Sequence, residues 1–331
     1  MLPQHDLGGA AVVSARIDII IPTWNGRDVL MDCLESLEAQ TCRDFVVTIV
    51  DDGSTDDTAK QVADQYPNAQ VIQLECNQGF CAAVNAGVAA TSSELVFLLN
   101  NDMTLTPECL ARLVERLESE GADMAAPIVL FQDDPDVVYS AGDCQRTNGR
   151  SECWGHKALR EDFVPPETVF GVSAGAALYR RAIFERVGVL DEKYGAYFED
   201  ADLSFRSRLA GFSATLAVDA TAYHAGSASI RDRMWWRAQQ CCRNHALLVI
   251  KNMPLKLLIW NAPFIALERI NQMRRYVSAA RTEFGLMRAW LMLLRLDLGL
   301  IRLLPQLLRD RWAIQRTRVV SSADIAALLV R

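Results

Sequence analysis

Four short apolar runs, at 17–21, 45–50, 71–74 and 95–99, punctuate the start of the chain, each rich in Ile, Val, Leu or Phe. Between them, around 27–40, 56–66 and 80–90, apolar positions recur with helical spacing. The strands are apolar at nearly every position rather than every second one, the pattern of a sheet covered on both faces. Strand and helix alternating with short joints predict an α/β fold with a doubly wound, mostly parallel, Rossmann-like sheet. From about 123 to 221 strands mix with long loops and one helix near 181–187. No internal repeat and no Gly/Ser linker interrupts the chain.

Beyond residue 231 the pattern is helical. Arg274, Arg281, Arg288, Arg295, Arg302, Arg309 and Arg316 follow one another at seven-residue steps. Such a step drifts only about 20° on a straight helix, which predicts one slowly turning stripe of guanidiniums. Pro305 is expected to break or kink the helix. Leu, Met, Ile and Trp fill most of the surface around Arg288, Arg295 and Arg302. No apolar run reaches the roughly 18–20 residues that span a bilayer. Two readings remain: helices packed on their own domain with Arg outward, or helices lying in the plane of a membrane. The width of the apolar face favours the second.

Composition excludes several classes. Of 331 residues 50% are hydrophobic and 23% charged, with 18 Gly and 11 Pro, which rules out a disordered chain, a collagen and a disulfide miniprotein. The nine cysteines form no CxxC pair, so reduced thiols are expected. The N-terminus has no basic segment followed by an apolar one, so no signal peptide is expected. The net charge of −7 hides two halves: residues 1–230 carry 16 Lys and Arg against 35 Asp and Glu, residues 231–331 carry 18 against 6. An acidic body would repel a nucleic acid, whereas the basic, Leu-rich end suits an anionic lipid surface. The expected divisions are a tail at 1–15, a catalytic domain at 16–230 and a helical, basic region at 231–331.

In an open α/β sheet, ligands bind beyond the carboxyl ends of the strands. Those ends carry Pro22-Thr23-Trp24-Asn25-Gly26, Asp51-Asp52-Gly53-Ser54, Asn77-Gln78-Gly79 and Asn100-Asn101-Asp102. The GxGxxG turn of a dinucleotide fold and the GxxxxGK[ST] loop of an NTPase are both missing. A carboxylate at Asp51 or Asp52 can accept from a ring N–H of a base, or simply cap the turn. Two acidic strand ends repel a phosphorylated ligand unless a divalent, oxygen-liganded cation bridges them to it. Tyr197-Phe198-Glu199-Asp200-Ala201-Asp202 packs three carboxylates into four positions. They either favour a helix N-terminus or supply a general base.

The ordered set PTWNG, DDGS, NxGFxxAxNxG, LNND and FEDADLSFR resembles the family 2 glycosyltransferases of the GT-A fold, and most of all the bacterial rhamnosyltransferase-like enzymes of cell-surface polysaccharide synthesis. The resemblance spans about 16–255 and includes Arg243-Asn244. It implies a nucleotide-sugar part at 16–105 and an acceptor and catalytic part at 106–230. It implies that Asp52 contacts the nucleobase, with Pro22, Thr23, Trp24, Asn25, Asp51, Gly79, Asn85, Asn101 and Gly175 at the donor. Asn100-Asn101-Asp102 stands where the family has DxD, so Asp102 is its one remaining carboxylate. His224, in Tyr223-His224-Ala225-Gly226-Ser227, matches the family's late metal-binding histidine, and the implied cation is Mg2+ or Mn2+. Asp200 matches the catalytic base, with Glu199 and Asp202 positioning the acceptor or holding Arg206. The implied activity is inverting transfer of a hexose, L-rhamnose from dTDP-rhamnose foremost, to a saccharide or lipid-linked acceptor at the inner face of the cell membrane. A UDP-sugar donor is the alternative. A homo-oligomer is compatible with the sequence, which fixes no oligomeric state. A nucleotidyltransferase would want a basic, Gly-rich first loop, and only Arg27 is there. An inactive scaffold would be expected to lose Asp52, Asp102 and Asp200, and all three are present.

Overall fold

The structure, a computed structural model, describes residues 15–226 and 234–331. The expected tail, except Ala15, and the expected boundary at 230 lie outside the described residues, as does Ser227. The first part runs β1 (Ile17–Thr23), α1 (Arg27–Glu38), β2 (Phe45–Asp51), α2 (Thr58–Gln65), β3 (Gln70–Gln73), α3 (Phe80–Ala90), β4 (Leu95–Leu99) and β5 (Met103–Leu105). It continues through α4 (Cys109–Ser119), β6 (Met124–Phe131), β7 (Val138–Ser140), β8 (Asp143–Gln145), β9 (Ser151–Cys153), β10 (Ala176–Arg180), α5 (Ala182–Val187), α6 (Glu199–Leu209) and β11 (Ala214–His224). The last part is α7 (Met234–Asn252), α8 (Leu255–Trp260), α9 (Ala262–Phe284), α10 (Leu286–Thr317) and α11 (Ser322–Leu328).

A nine-stranded sheet has the order β3-β2-β1-β4-β10-β6-β11-β5, with β7 added on β6. Pairings among β3, β2, β1 and β4 are parallel throughout, and β6 and β11 run the same way. The sheet is nonetheless mixed, because β10, β5 and β7 pair antiparallel with their neighbours. Continuous apolar strands have the anticipated cause. Ile17, Ile19 and Ile21 pack under Leu30, Leu34 and Leu110 on one face, while Ile20 packs with Val84 and Val88 of α3 on the other. After β3 the chain returns to place β4 on the far side of β1, so the strand order reverses between β1 and β4. The carboxyl ends of these two strands flank the crevice where such sheets take ligands.

The C-terminal helices are part of the core. Cys242 of α7 packs with Tyr276 and Val277 of α9 and with Leu293 and Leu296 of α10. Ile325 and Leu329 close over Phe170 and Phe205, and Val330 bridges to Arg146 beside β8. Two expectations change here. The arginine stripe is divided at Gly285, whose φ of 79° ends α9 and starts α10. Pro305 does not end the helix: α10 runs from Leu286 to Thr317 through it. Leu300, Leu303 and Leu307, on both sides of the proline, are held against Tyr194 and Leu247, and this packing outweighs one missing backbone hydrogen bond. No helix among the described residues is long and apolar enough to cross a membrane. Yet α10 turns Trp290, Leu294, Leu298, Ile301, Leu308 and Trp312 outward.

Candidate active site

The first turn beyond β1 is locked to its neighbours by short polar bonds. Asn25 adopts a left-handed φ of 47°. Its N–H donates to Ser54 Oγ at 2.9 Å, and its Oδ1 accepts from Thr55 N at 2.8 Å. Asn101 Nδ2 donates to Thr23 Oγ1 at 2.9 Å, so the ends of β1 and β4 are joined directly across the crevice. Pro22 and Thr23 are buried while Trp24 is 55% exposed at the rim. A side chain at Gly26 would have to displace the Asn101 amide, whose Nδ2 lies against this position.

The two aspartates after β2 divide the work. Asp51 Oδ1 accepts from Ser54 N at 3.0 Å and its Oδ2 from Gln73 Nε2 at 3.3 Å, so it closes its own turn. Asp52 reaches across to the loop before α3: Oδ1 accepts from Gln78 N at 2.7 Å and Oδ2 from Gly79 N at 2.8 Å. Gly53 has a φ of 72°, and a Cβ there would press on the Cys76 backbone, so the close approach of these loops requires glycine. Asn85 lies apart from this group. Its Nδ2 donates to Leu190 O and Glu192 Oε1, and its Oδ1 accepts from Leu190 N, so its amide ties α3 to the segment before α6.

Asp102 and His224 meet, although 122 positions separate them. Antiparallel pairing of β11 with β5 sets His224 opposite Met103. Its Nε2 stands 3.2 Å from Asp102 Oδ2. Two ligands about 2.1 Å from one octahedral ion stand about 3 Å apart, so this spacing fits a shared divalent cation. A cavity of about 50 Å³ adjoins, lined by Asn100, Tyr139, Ser173, Gly175 and His224 among others. Asn100 Oδ1 and His224 Nδ1 are buried without a hydrogen-bond partner among the described residues, a polar environment waiting for water or a ligand. No group of three or more candidate metal-ligating side chains gathers among the described residues. An oxygen-seeking cation would therefore draw its other ligands from a diphosphate and water.

Gly175 links this rim to Asp200. Its carbonyl accepts from Asn100 N at 2.8 Å, and the preceding residue, Ala174, points its N–H at Asp200 Oδ2, 3.4 Å away. Asp200 Oδ1 also accepts from Ala201 N at 2.7 Å, at the start of α6. Burial pushes the Asp200 carboxyl above the ordinary aspartate value, against the pull of bonds from Ala201, Ser173 and Ala174. Glu199 is raised further by burial and the neighbouring Asp200, and its Oε2 has no partner among the described residues. Asp143 on β8 is raised by burial and then by Asp200. Three carboxyl groups thus share one dry corner. Asp143 carried no sequence signal, because it belongs to a three-residue strand far from Asp200 in the chain.

Asp202 corrects the sequence reading. It has no exposed surface and faces away from the crevice, into α7. Its carboxylate pairs with Arg206 Nε at 2.8 Å and Lys251 Nζ at 2.9 Å, and accepts from Tyr194 Oη and Asn252 Nδ2. Burial alone would raise its pKa, but Lys251 and Arg206 hold it well below the usual carboxylate range. It cannot reach an acceptor; of the two roles expected for it, holding Arg206 is the one the geometry allows. Ahead of α6, Tyr197 and Phe198 adopt left-handed φ values of 67° and 73°. Asn244 Nδ2 secures this turn from within, within 2.9 Å of the carbonyl oxygens of Tyr194, Ala196 and Tyr197.

A crevice whose rim sets a carboxylate and an imidazole at cation spacing suits a phosphorylated ligand. Comparison with known proteins supplies the class. Residues 18–188 match the family described as "Glycosyl transferase family 2", and the chain belongs to that family. A "PGL/p-HBAD biosynthesis glycosyltransferase" of Mycobacterium bovis is 32% identical over 182 residues, 53% of this chain and 63% of that protein. The "Succinoglycan biosynthesis protein ExoO" of Rhizobium meliloti is 31% identical over 137 residues, 41% of this chain and 38% of that one. The chain thus spans less than two thirds of these relatives' length. Among solved structures, residues 1–349 of S. aureus TarS superpose with a TM-score of 0.52 at 19% identity, over 91% of this chain and 89% of that one. A mannosyltransferase from Pyrobaculum calidifontis, solved with GDP-Man and Mn2+, gives 0.56 at 17% identity, over 91% and 85%. These likenesses confirm the fold.

Proposed function

We propose that the protein is an inverting, divalent-metal-dependent hexosyltransferase that moves a sugar from a nucleotide-diphosphate donor to a saccharide or lipid-linked acceptor in cell-surface polysaccharide or glycolipid synthesis. The observation that carries this reading is the run from Asp102 and His224 through Gly175 and Ala174 to Asp200, which sets a cation-competent pair beside a half-buried carboxylate. In this reading the donor base lies among Thr23, Trp24, Asn25 and Asp52, and the diphosphate near Asn101 and Gly175. Asp102 and His224 would hold Mg2+ or Mn2+, which would offset the negative charge of the diphosphate. Asp200 takes the acceptor hydroxyl proton as that oxygen bonds to the anomeric carbon, and the bond from that carbon to the diphosphate breaks on the opposite face. Burial and the neighbouring Asp200 push the Glu199 carboxyl up, which favours its uncharged form beside the base. On the resemblance of its motif set we assign dTDP-L-rhamnose as donor. The outward apolar face of α10, with its arginines, supports a place on the inner surface of the cell membrane.

The test is a titration of purified protein with dTDP-, UDP- and GDP-sugars, with and without Mg2+ or Mn2+, repeated on Asp102→Ala. The expected result is tightest binding of dTDP-rhamnose, dependence on the cation, and loss of that dependence in the variant. Equal binding with and without cation would remove the metal from the mechanism, and preference for a UDP-sugar would replace the donor.

A further inference from the structure

Helices α9 and α10 pack together beyond Gly285, and residues of both line a cleft of about 290 Å³. Its walls are Ile270 and Val277 from α9 and Leu286 and Trp290 from α10, and its rim carries Arg274 and Arg281. We propose that this cleft is a lipid subsite, which takes one hydrocarbon chain of a phosphate-bearing membrane lipid, with the phosphate at Arg274 and Arg281. The inference rests on the membrane-facing reading above and assigns it a specific place.

Three observations converge on that occupant. The volume sits at the small end of the range for organic ligands and suits a narrow chain. Arg274, Ser278 and Arg281 recur along one face of α9, and neither guanidinium pairs with a carboxylate among the described residues. Two cations beside an apolar slot match an anionic amphiphile and disfavour a neutral or purely polar ligand. The cleft is also continuous with the outward apolar face of α10, since Trp290 belongs to both. A lipid held there would pass from the bilayer into the protein without crossing water.

Phe284, next to Gly285, packs edge-on against Trp235 at 5.1 Å between ring centroids. Trp236 in turn contacts the Tyr197 ring at 6.0 Å, and the Arg237 guanidinium stands 5.4 Å from the same ring. Tyr197 is three residues before Asp200. The Arg281 end of the cleft therefore lies one helical turn from an aromatic cluster that reaches Tyr197.

The test uses the full chain and a monomeric amphiphile, so that binding is read apart from adsorption to a surface. Decanoyl lysophosphatidic acid below its micelle concentration is titrated calorimetrically, with monodecanoylglycerol as the same chain without phosphate. One lysophosphatidate per protein is expected, with monodecanoylglycerol about tenfold weaker or more. Ser278→Trp, at an exposed position, fills the slot, and Arg274→Glu with Arg281→Glu reverses its rim; each should weaken lysophosphatidate binding by at least about tenfold. Unaltered affinity in both variants, or equal affinity for the uncharged chain, overturns the proposal. So does a dimer in light scattering that Ser278→Trp dissociates while no amphiphile binds. Co-sedimentation with phosphatidylcholine–phosphatidylglycerol vesicles separates the two readings, because Ser278→Trp leaves the outer face of α10 intact. Vesicle binding retained with amphiphile binding lost supports the cleft. Amphiphile binding in wild type without vesicle binding supports the cleft and overturns the membrane-surface reading.

Discussion

Asp200 is placed to be both half-buried and ionisable. Burial favours its neutral form, while hydrogen bonds from Ala201, Ser173 and Ala174 favour the charged one. The net shift is upward, so the proton-accepting form appears only as pH rises past the raised value. Activity should therefore climb with pH along an acidic limb whose midpoint lies above the ordinary aspartate value of about 3.9. Asp200→Asn keeps the size and most of the bonds but cannot take a proton. Turnover should fall by about 10²–10⁴-fold, the acidic limb should vanish, and donor affinity should stay near wild type. Steady-state rates from pH 4 to 9, with donor titrations alongside, decide the matter. Normal turnover, or loss of donor binding instead, would return Asp200 to a structural part.

At the scale of elements, the site depends on how α6 is anchored. Its first turn follows two consecutive left-handed residues, a conformation that costs energy and persists only where the surroundings fix it. The anchors come from α7: Asn244 under the turn, and Lys251 and Asn252 on Asp202. Asp202→Asn leaves Arg206 buried without a countercharge and Lys251 with Asp191 alone, and a broken buried pair costs about 3–5 kcal/mol. Urea denaturation should show a loss of that order, with no specific change in acceptor KM where the variant is folded. Because the folded-state pKa of Asp202 is depressed, its stabilisation is present above about pH 3.9 and is lost as pH falls through the folded value. The variant's stability should accordingly vary less with pH on the acid side than that of wild type. An unchanged urea midpoint would mean that the ion cluster is dispensable.

For the whole molecule, the separation of charge along the chain becomes a separation in space. The acidic strands and loops form the crevice, and the basic helices turn guanidiniums and an apolar face outward together. Arg288, Arg295 and Arg302 run along one edge of that face, where each contributes about 1 kcal/mol of attraction near an anionic leaflet. Changing all three to Glu should abolish flotation with anionic vesicles, leave donor binding unchanged, and reduce activity on lipid-embedded acceptor. Substitution is the sounder experiment here, since truncation would remove Leu293, Leu296, Leu307 and Ile325 from the core. Flotation of the triple variant equal to wild type would leave the outward face of α10 without a membrane role.

The chain by itself determined the α/β succession, because both-face burial writes continuous apolar strands and helical burial writes a 3.6-residue period. The starts of β1, β2 and β4, at Ile17, Phe45 and Leu95, were legible for that reason. The acidic strand ends were legible too, since a ligand-binding crevice forms where strands stop. What only the tertiary structure decided is partnership. Asp102 found His224 through a strand pairing across the sheet, and Asp143 joined Asp200 from a short strand that no local pattern announces. Asp202 and Asp200, two positions apart on one helix, went to opposite fates, because a 100° step per residue turns one toward the crevice and the other into α7. Pro305 stayed within its helix for the same kind of reason: propensity is local and worth a few kcal/mol at most, while the leucines around it are held by residues far away in sequence.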